Sequence, residues 1–136
     1  MPSNPYTAYL EANIVGAEPI ELVRMLYRAA LDAVRDAREH GAVGETAERG
    51  RAISKASSIV RELAISLNPQ ADPALAHDLR ELYDYIERRL LTANFEKTEA
   101  PLAEVAVLLA TMSEAWEKVS PATGAQTASG RISAEA

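Results

Sequence analysis

The chain contains no cysteine. A disulfide framework, a thiolate metal site and a cysteine nucleophile are therefore excluded. Aromatic residues are scarce, with one Phe, one Trp and five Tyr in 136 residues. Positive charge is in deficit: 14 Lys and Arg face 20 Asp and Glu, for a net charge of −6. That balance argues against a general nucleic-acid binder, which needs a basic face to displace counterions. Long hydrophobic runs are also missing. The longest uncharged apolar stretch lies between Glu104 and Glu114, far short of the ~20 residues that span a bilayer. The first ten residues lack the basic start and apolar run of a secretory signal. These absences together predict a soluble, cytoplasmic chain that does not insert into a membrane.

What is present favours helix. Alanine occurs 26 times, and Ala loses no side-chain entropy in a helix. Leu, Ile, Val and Phe number 30, enough for the core of one domain. Prolines and glycines divide the chain. Residues 1–17 form a polar-aromatic lead-in, read as an N-terminal arm, either a short helix or a lid. Pro19 suits the first turn of a helix, where a missing N–H costs nothing. That helix is expected to run to about His40, with Gly41 as its stop. A second runs from about Glu45 to Leu67, before Asn68-Pro69. Asp72-Pro73 reads as N-cap and first helical residue of a third, which extends to about Asn94. Pro101 opens a fourth, which stops at Ser120-Pro121. Residues 120–136 hold one large apolar residue, Ile132, and are expected to be a disordered tail.

Apolar spacing supports each helix. The stripes are Ile20, Val23, Leu26, Tyr27, Ala30, Val34 and Ala37; Ile53, Ala56, Val60, Leu63 and Leu67; Leu75, Leu79, Leu82, Ile86 and Leu90; and Leu102, Val105, Leu109, Met112, Trp116 and Val119. No window alternates with period two over strand length. Tyr27 and Tyr83 sit on or beside these stripes, where each can bury its ring and keep its hydroxyl wet. Four helices of similar length with short connections predict an all-α, antiparallel up-down four-helix bundle over residues 18–119.

Catalytic chemistry is hard to find. Asp36 and His40 are one turn apart but read as a surface pair near a helix C-terminus, where a cation is favourable. A di-iron bundle needs Glu-x-x-His on facing helices, and that motif does not occur. Gly41 to Glu45 lacks the Gly-Lys-Ser/Thr ending of a phosphate loop and reads as an interhelix turn. Arg88-Arg89 reads as a solvated edge. No enzyme, cofactor or metal is expected.

Apolar residues exceed what a bundle core requires. Leu22 and Met25, Ile59 and Ile65, Tyr85 and Leu91, and Val107 and Leu108 fall off the stripes of their helices. A surplus on every helix points to self-association or to grooves for another protein's apolar segments. The arm adds Tyr6, Tyr9 and Leu10, too short a segment to fold unless it docks on an apolar surface.

The stretches NPYTAYL at residues 4–10, AEPIELVRMLYRAAL at 17–31, LYDYIERRLLTAN at 82–94 and EAW at 114–116 make the chain resemble the bacterial flagellar secretion chaperones that bind flagellin. The likeness runs from about residue 4 to 119. Two positions depart from the family pattern. Arg28 follows MLY where an acidic residue is usual, and Glu18 stands where Ser is usual. The resemblance implies a helical bundle that holds the C-terminal region of newly made flagellin in the cytoplasm. It further implies that the bundle prevents premature polymerisation and supports delivery to the flagellar type III export apparatus, with export-gate components as further partners. It also implies an arm that covers part of the client surface when no client is present. The off-stripe residues and this groove binding nominate Tyr6, Tyr9, Leu10, Ile59, Tyr85, Arg89, Leu91, Val107 and Leu108 as client contacts, on a monomer or weak homodimer. The competing expectation is a helical adaptor or homo-oligomeric structural protein that uses the same grooves for another partner.

Overall fold

The computed structural model describes residues 19–68 and 70–119. Four helices follow one another: α1 Pro19–Ala42, α2 Thr46–Ile65, α3 Pro73–Glu96 and α4 Ala100–Glu117. There is no strand among the described residues. The expected helices are all found: the starts at Pro19 and Pro73 are as expected, and the other boundaries move by at most about three residues. Asp72 caps α3 as its sequence suggests: the side chain accepts from the Leu75 N–H at 3.2 Å, and Pro73 takes the first helical position. The α1–α2 turn closes through Gly44, whose φ of 77° is open to glycine without cost.

Principal contacts join α1 to α2, α2 to α3, α3 to α4, and α4 back to α1. This is a closed antiparallel bundle in which every helix has two neighbours. The α1–α2 contact is the most extensive. Small residues explain it: Ala30, Ala33 and Ala37 on α1 and Ala56 on α2 are buried in the core, which lets the two helices approach closely.

One expectation is corrected. Ile59, read as lying off the core stripe, is fully buried at 0% exposure. It lies two residues from Ser57, which bonds to Glu87 of α3, and so on the opposite flank of α2, where the extensive contact with α1 covers it. Leu82 and Met112, assigned to stripes, are only half-buried against the core, and Leu75 is exposed. Tyr83 is fully buried instead.

The tyrosine hydroxyls depart from expectation as well. Those of Tyr27 and Tyr83 are not wet. They bond to each other at 2.6 Å in the interior. The Tyr27 ring also stacks on Trp116, with centroids 6.4 Å apart. Burial pushes the Tyr27 phenol up to about 12 and raises that of Tyr83 further.

Two arginines tie helix C-termini to distant parts of the chain. Arg24 on α1 donates to the carbonyls of Trp116 at 3.1 Å and Val119 at 2.7 Å, at the end of α4. Arg49 on α2 is buried and donates to Ala93 at 3.2 Å and Thr98 at 2.5 Å, at the end of α3. Each places a cation at the carbonyl end of a helix, where the helix dipole favours it. Gly41 makes room for the second: a Cβ there would lie 3.1 Å from Arg49 Cδ and Nε.

Candidate partner-binding surface

The surface is best followed from α3, whose two flanks are identified by their polar contacts. Glu87 accepts from Arg61 at 3.0 Å and Ser57 at 3.4 Å, so that flank faces α2. Arg89 donates to Glu104 at 2.7 Å, and the Tyr85 hydroxyl donates to the same carboxylate, so the opposite flank faces α4. The nominated residues divide between these two sides.

On the α4 side, Tyr85 and Arg89 meet around Glu104. Val107 and Leu108 follow Glu104 at i+3 and i+4, so they extend the same flank of α4. Val107 is 65% exposed and Leu108 half-buried. Arg88 sits over the Tyr85 ring at 6.0 Å from the centroid, a cation–π arrangement. The Glu104 carboxylate holds the Tyr85 phenol above its ordinary value. The same hydrogen bond, with that from Arg89, holds Glu104 below the ordinary carboxylate value.

On the α2 side, Leu91 lies one turn beyond Glu87 and is 67% exposed. The facing flank of α2 carries Gly50, Ser54 and Ser57 at i, i+4 and i+7. Gly50 lies beside Asn94 of α3, whose Oδ1 would be 3.6 Å from a Cβ there. Phe95, one turn further along α3, is 85% exposed. The sequence reading missed it, although its i+4 spacing from Leu91 was a sufficient signal. The antiparallel pairing puts Ile65, also exposed, on the other side of the Arg61–Glu87 bridge.

The nominated set is therefore not one patch. Tyr85, Arg89, Val107 and Leu108 come together, Leu91 belongs to a second surface, and Ile59 is in the core. Tyr6, Tyr9 and Leu10 lie outside the described residues. Leu22 and Met25 pack half-buried against the core. His40 bonds to Glu45 at 2.6 Å across the α1–α2 turn rather than to Asp36. Among the described residues, no three His, Asp or Glu side chains converge in a metal-binding group. No described helix is long and apolar enough to cross a membrane.

Comparison with known proteins bears on this geometry. The family model described as flagellar protein FliS matches residues 2–123. The chain belongs to the FliS family. It is 36% identical over 113 residues to the flagellar secretion chaperone FliS of Salmonella typhimurium, covering 82% of this chain and 84% of that protein. The Bacillus subtilis FliS is 33% identical over 115 residues, covering 85% of each chain. The Pseudomonas aeruginosa flagellar secretion chaperone FliSB is 31% identical over 111 residues, with 82% and 88% covered. FliS proteins are flagellar secretion chaperones, not enzymes. One departure from the family pattern gains a local account: Arg28, following Met25-Leu26-Tyr27, pairs with Glu117 of α4 at 2.8 Å. Glu18, the other departure, lies outside the described residues.

Proposed function

We propose that this FliS-family chain binds the C-terminal region of flagellin in the cytoplasm, keeps it from polymerising early, and presents it to the flagellar type III export apparatus. The observation that carries the reading is the pair of surfaces flanking α3, one with Leu91 and Phe95 exposed and the other with Val107 exposed beside Tyr85, in a member of a secretion-chaperone family. An unfolded client that orders on binding buries about 1,000–3,000 Å² and gives up several kcal/mol to ordering. Two shallow, separated surfaces suit a chain that wraps, whereas one deep pocket suits a compact ligand. Leu91 and Phe95 supply one set of contacts. Tyr85, Arg89, Val107 and Leu108 supply the other. Residues 1–17, with Tyr6, Tyr9 and Leu10, act as an internal competitor for these surfaces, which lowers apparent affinity by the fraction of molecules left open. Residues 18–119 form the client-binding body.

Calorimetry with a C-terminal flagellin fragment tests this. The double substitution Leu91→Ala with Phe95→Ala is expected to weaken binding by about tenfold, as loss of an apolar anchor does, with an unchanged unfolding midpoint. Leu108→Ala acts in the same direction. Deleting residues 1–17 tightens binding. Unchanged affinity in both surface variants overturns the reading. Concentration-dependent sedimentation of the free protein that those substitutions abolish favours self-association as the use of these faces.

A further inference from the structure

The end of the bundle formed by the C-terminus of α1, the N-terminus of α2 and the α3–α4 loop holds an open cleft of about 630 Å³. Its lining includes Arg35, Arg38, Arg49 and Lys97 against two carboxylates, Glu39 and Glu99. The charge there is the reverse of the chain's net −6.

The four cations are not equally satisfied. Arg38 is spent on Glu99 at 2.6 Å. Arg35 has only a 4.0 Å contact with Asp32. Lys97 makes no ion pair with any described residue. Arg49 is the unusual member. It is 8% exposed, yet its guanidinium partners are the neutral carbonyls of Ala93 and Thr98. Those carbonyls satisfy its donors, but no carboxylate of a described residue neutralises its charge, which adds to the positive field of the cleft. Lys97 is unusual in another way. It sits at φ 55°, ψ 48°, in the left-handed region where glycine is the ordinary helix terminator. Its side chain is exposed there.

We propose that this cleft binds an acidic peptide segment of a partner protein. The inference is independent of the client reading, since none of its residues lies among the client contacts. Gly44 lines the same cleft with open space where a side chain would stand, so a peptide backbone can approach closely there. Glu39 and Glu99 repel a compact, multiply charged anion such as phosphate. A peptide that spaces single carboxylates along an extended chain reaches Arg35 and Lys97 while avoiding them. Arg35 and Lys97 at the rim steer and pair, and the Arg49 charge behind them supplies the field.

The test uses the full chain and a fluorescein-labelled hexapeptide of Gly, Glu and Asp with an amidated end, followed by anisotropy at ~50 mM and ~300 mM salt. Saturable binding is expected at the lower salt, weakened at the higher. The double variant R35Q/K97Q lowers affinity about tenfold, the loss of two partly exposed ion pairs. The double variant R80Q/K118Q removes the same charge away from the cleft and changes affinity less than about twofold. Circular dichroism confirms that both remain folded. Equal losses in the two variants, no binding at low salt, or displacement of the peptide by inorganic phosphate at equal concentration would each overturn the proposal, the last because it marks a free-anion site.

Discussion

The hydroxyls of Tyr27 and Tyr83, 2.6 Å apart, are hydrogen-bond partners across the core, joining α1 to α3. Helices α1 and α3 are not among the principal packing pairs, so this bond links opposite corners of the bundle. Removing one hydroxyl leaves the other buried and deprived of that partner. Tyr83→Phe is expected to cost about 1–3 kcal/mol, and the double Tyr27→Phe, Tyr83→Phe variant less than either single change. A double-mutant cycle by urea denaturation measures the coupling. Additive losses would mean that the two hydroxyls do not depend on one another.

The same pair predicts alkaline instability. Both phenols are raised above the ordinary value of 10, Tyr27 to about 12. A folded-state value above the unfolded one means that the native protein holds its proton more tightly. The stabilisation is complete below about pH 10 and is lost as pH rises through the folded values. Absorbance of tyrosinate and helical circular dichroism, followed together, should show Tyr27 and Tyr83 ionising only as the helices melt. Ionisation of both while the helical signal is intact contradicts the buried pair.

Ile59 and Leu91 make a matched test of the surface assignment. Ile59→Ala truncates a fully buried side chain and is expected to lose about 2–5 kcal/mol. Leu91→Ala removes an exposed one and is expected to stay within about 0.5 kcal/mol. Equilibrium unfolding of the two variants decides it. Equal losses would show that Leu91 is covered in solution.

These two residues also show how far the sequence could be read. The stripe Ile20, Val23, Leu26, Tyr27, Ala30, Val34 and Ala37 on α1 is buried throughout, because its period follows from helix geometry alone. The start of α3 at Asp72-Pro73 was legible for the same reason: a cap and its first turn are local. Ile59 was not legible. Whether a residue off the stripe is buried depends on which neighbouring helix covers that flank, and that is settled only in the assembled bundle. The two flanks of α3 are separated only by tertiary pairing, Glu87 with Arg61 of α2 and Arg89 with Glu104 of α4. Arg49 was missed because a buried guanidinium satisfied by carbonyls leaves no mark in the apolar pattern.

Arg49 and Gly41 should behave as a unit. Arg49→Met removes both donors to Ala93 and Thr98 and is expected to cost about 3 kcal/mol. Gly41→Ala places a Cβ 3.1 Å from Arg49 Cδ and Nε, and the guanidinium, bonded at both ends, has little freedom to yield. The helix-propensity gain of about 0.5–1 kcal/mol is therefore cancelled in the parent chain. It should reappear when Gly41→Ala is made together with Arg49→Met. Thermal unfolding of the three variants reads this directly, and an equal effect of Gly41→Ala in both backgrounds would separate the two residues.

Because α4 returns to α1 and Arg24 clasps the carbonyls of Trp116 and Val119, 92 and 95 residues away, the helices form a ring with no loose member. A single cut at the turn through Gly44 would leave α1 held by α4 and α2 held by α3. The molecule's integrity depends on lateral grip more than on the continuity of that link.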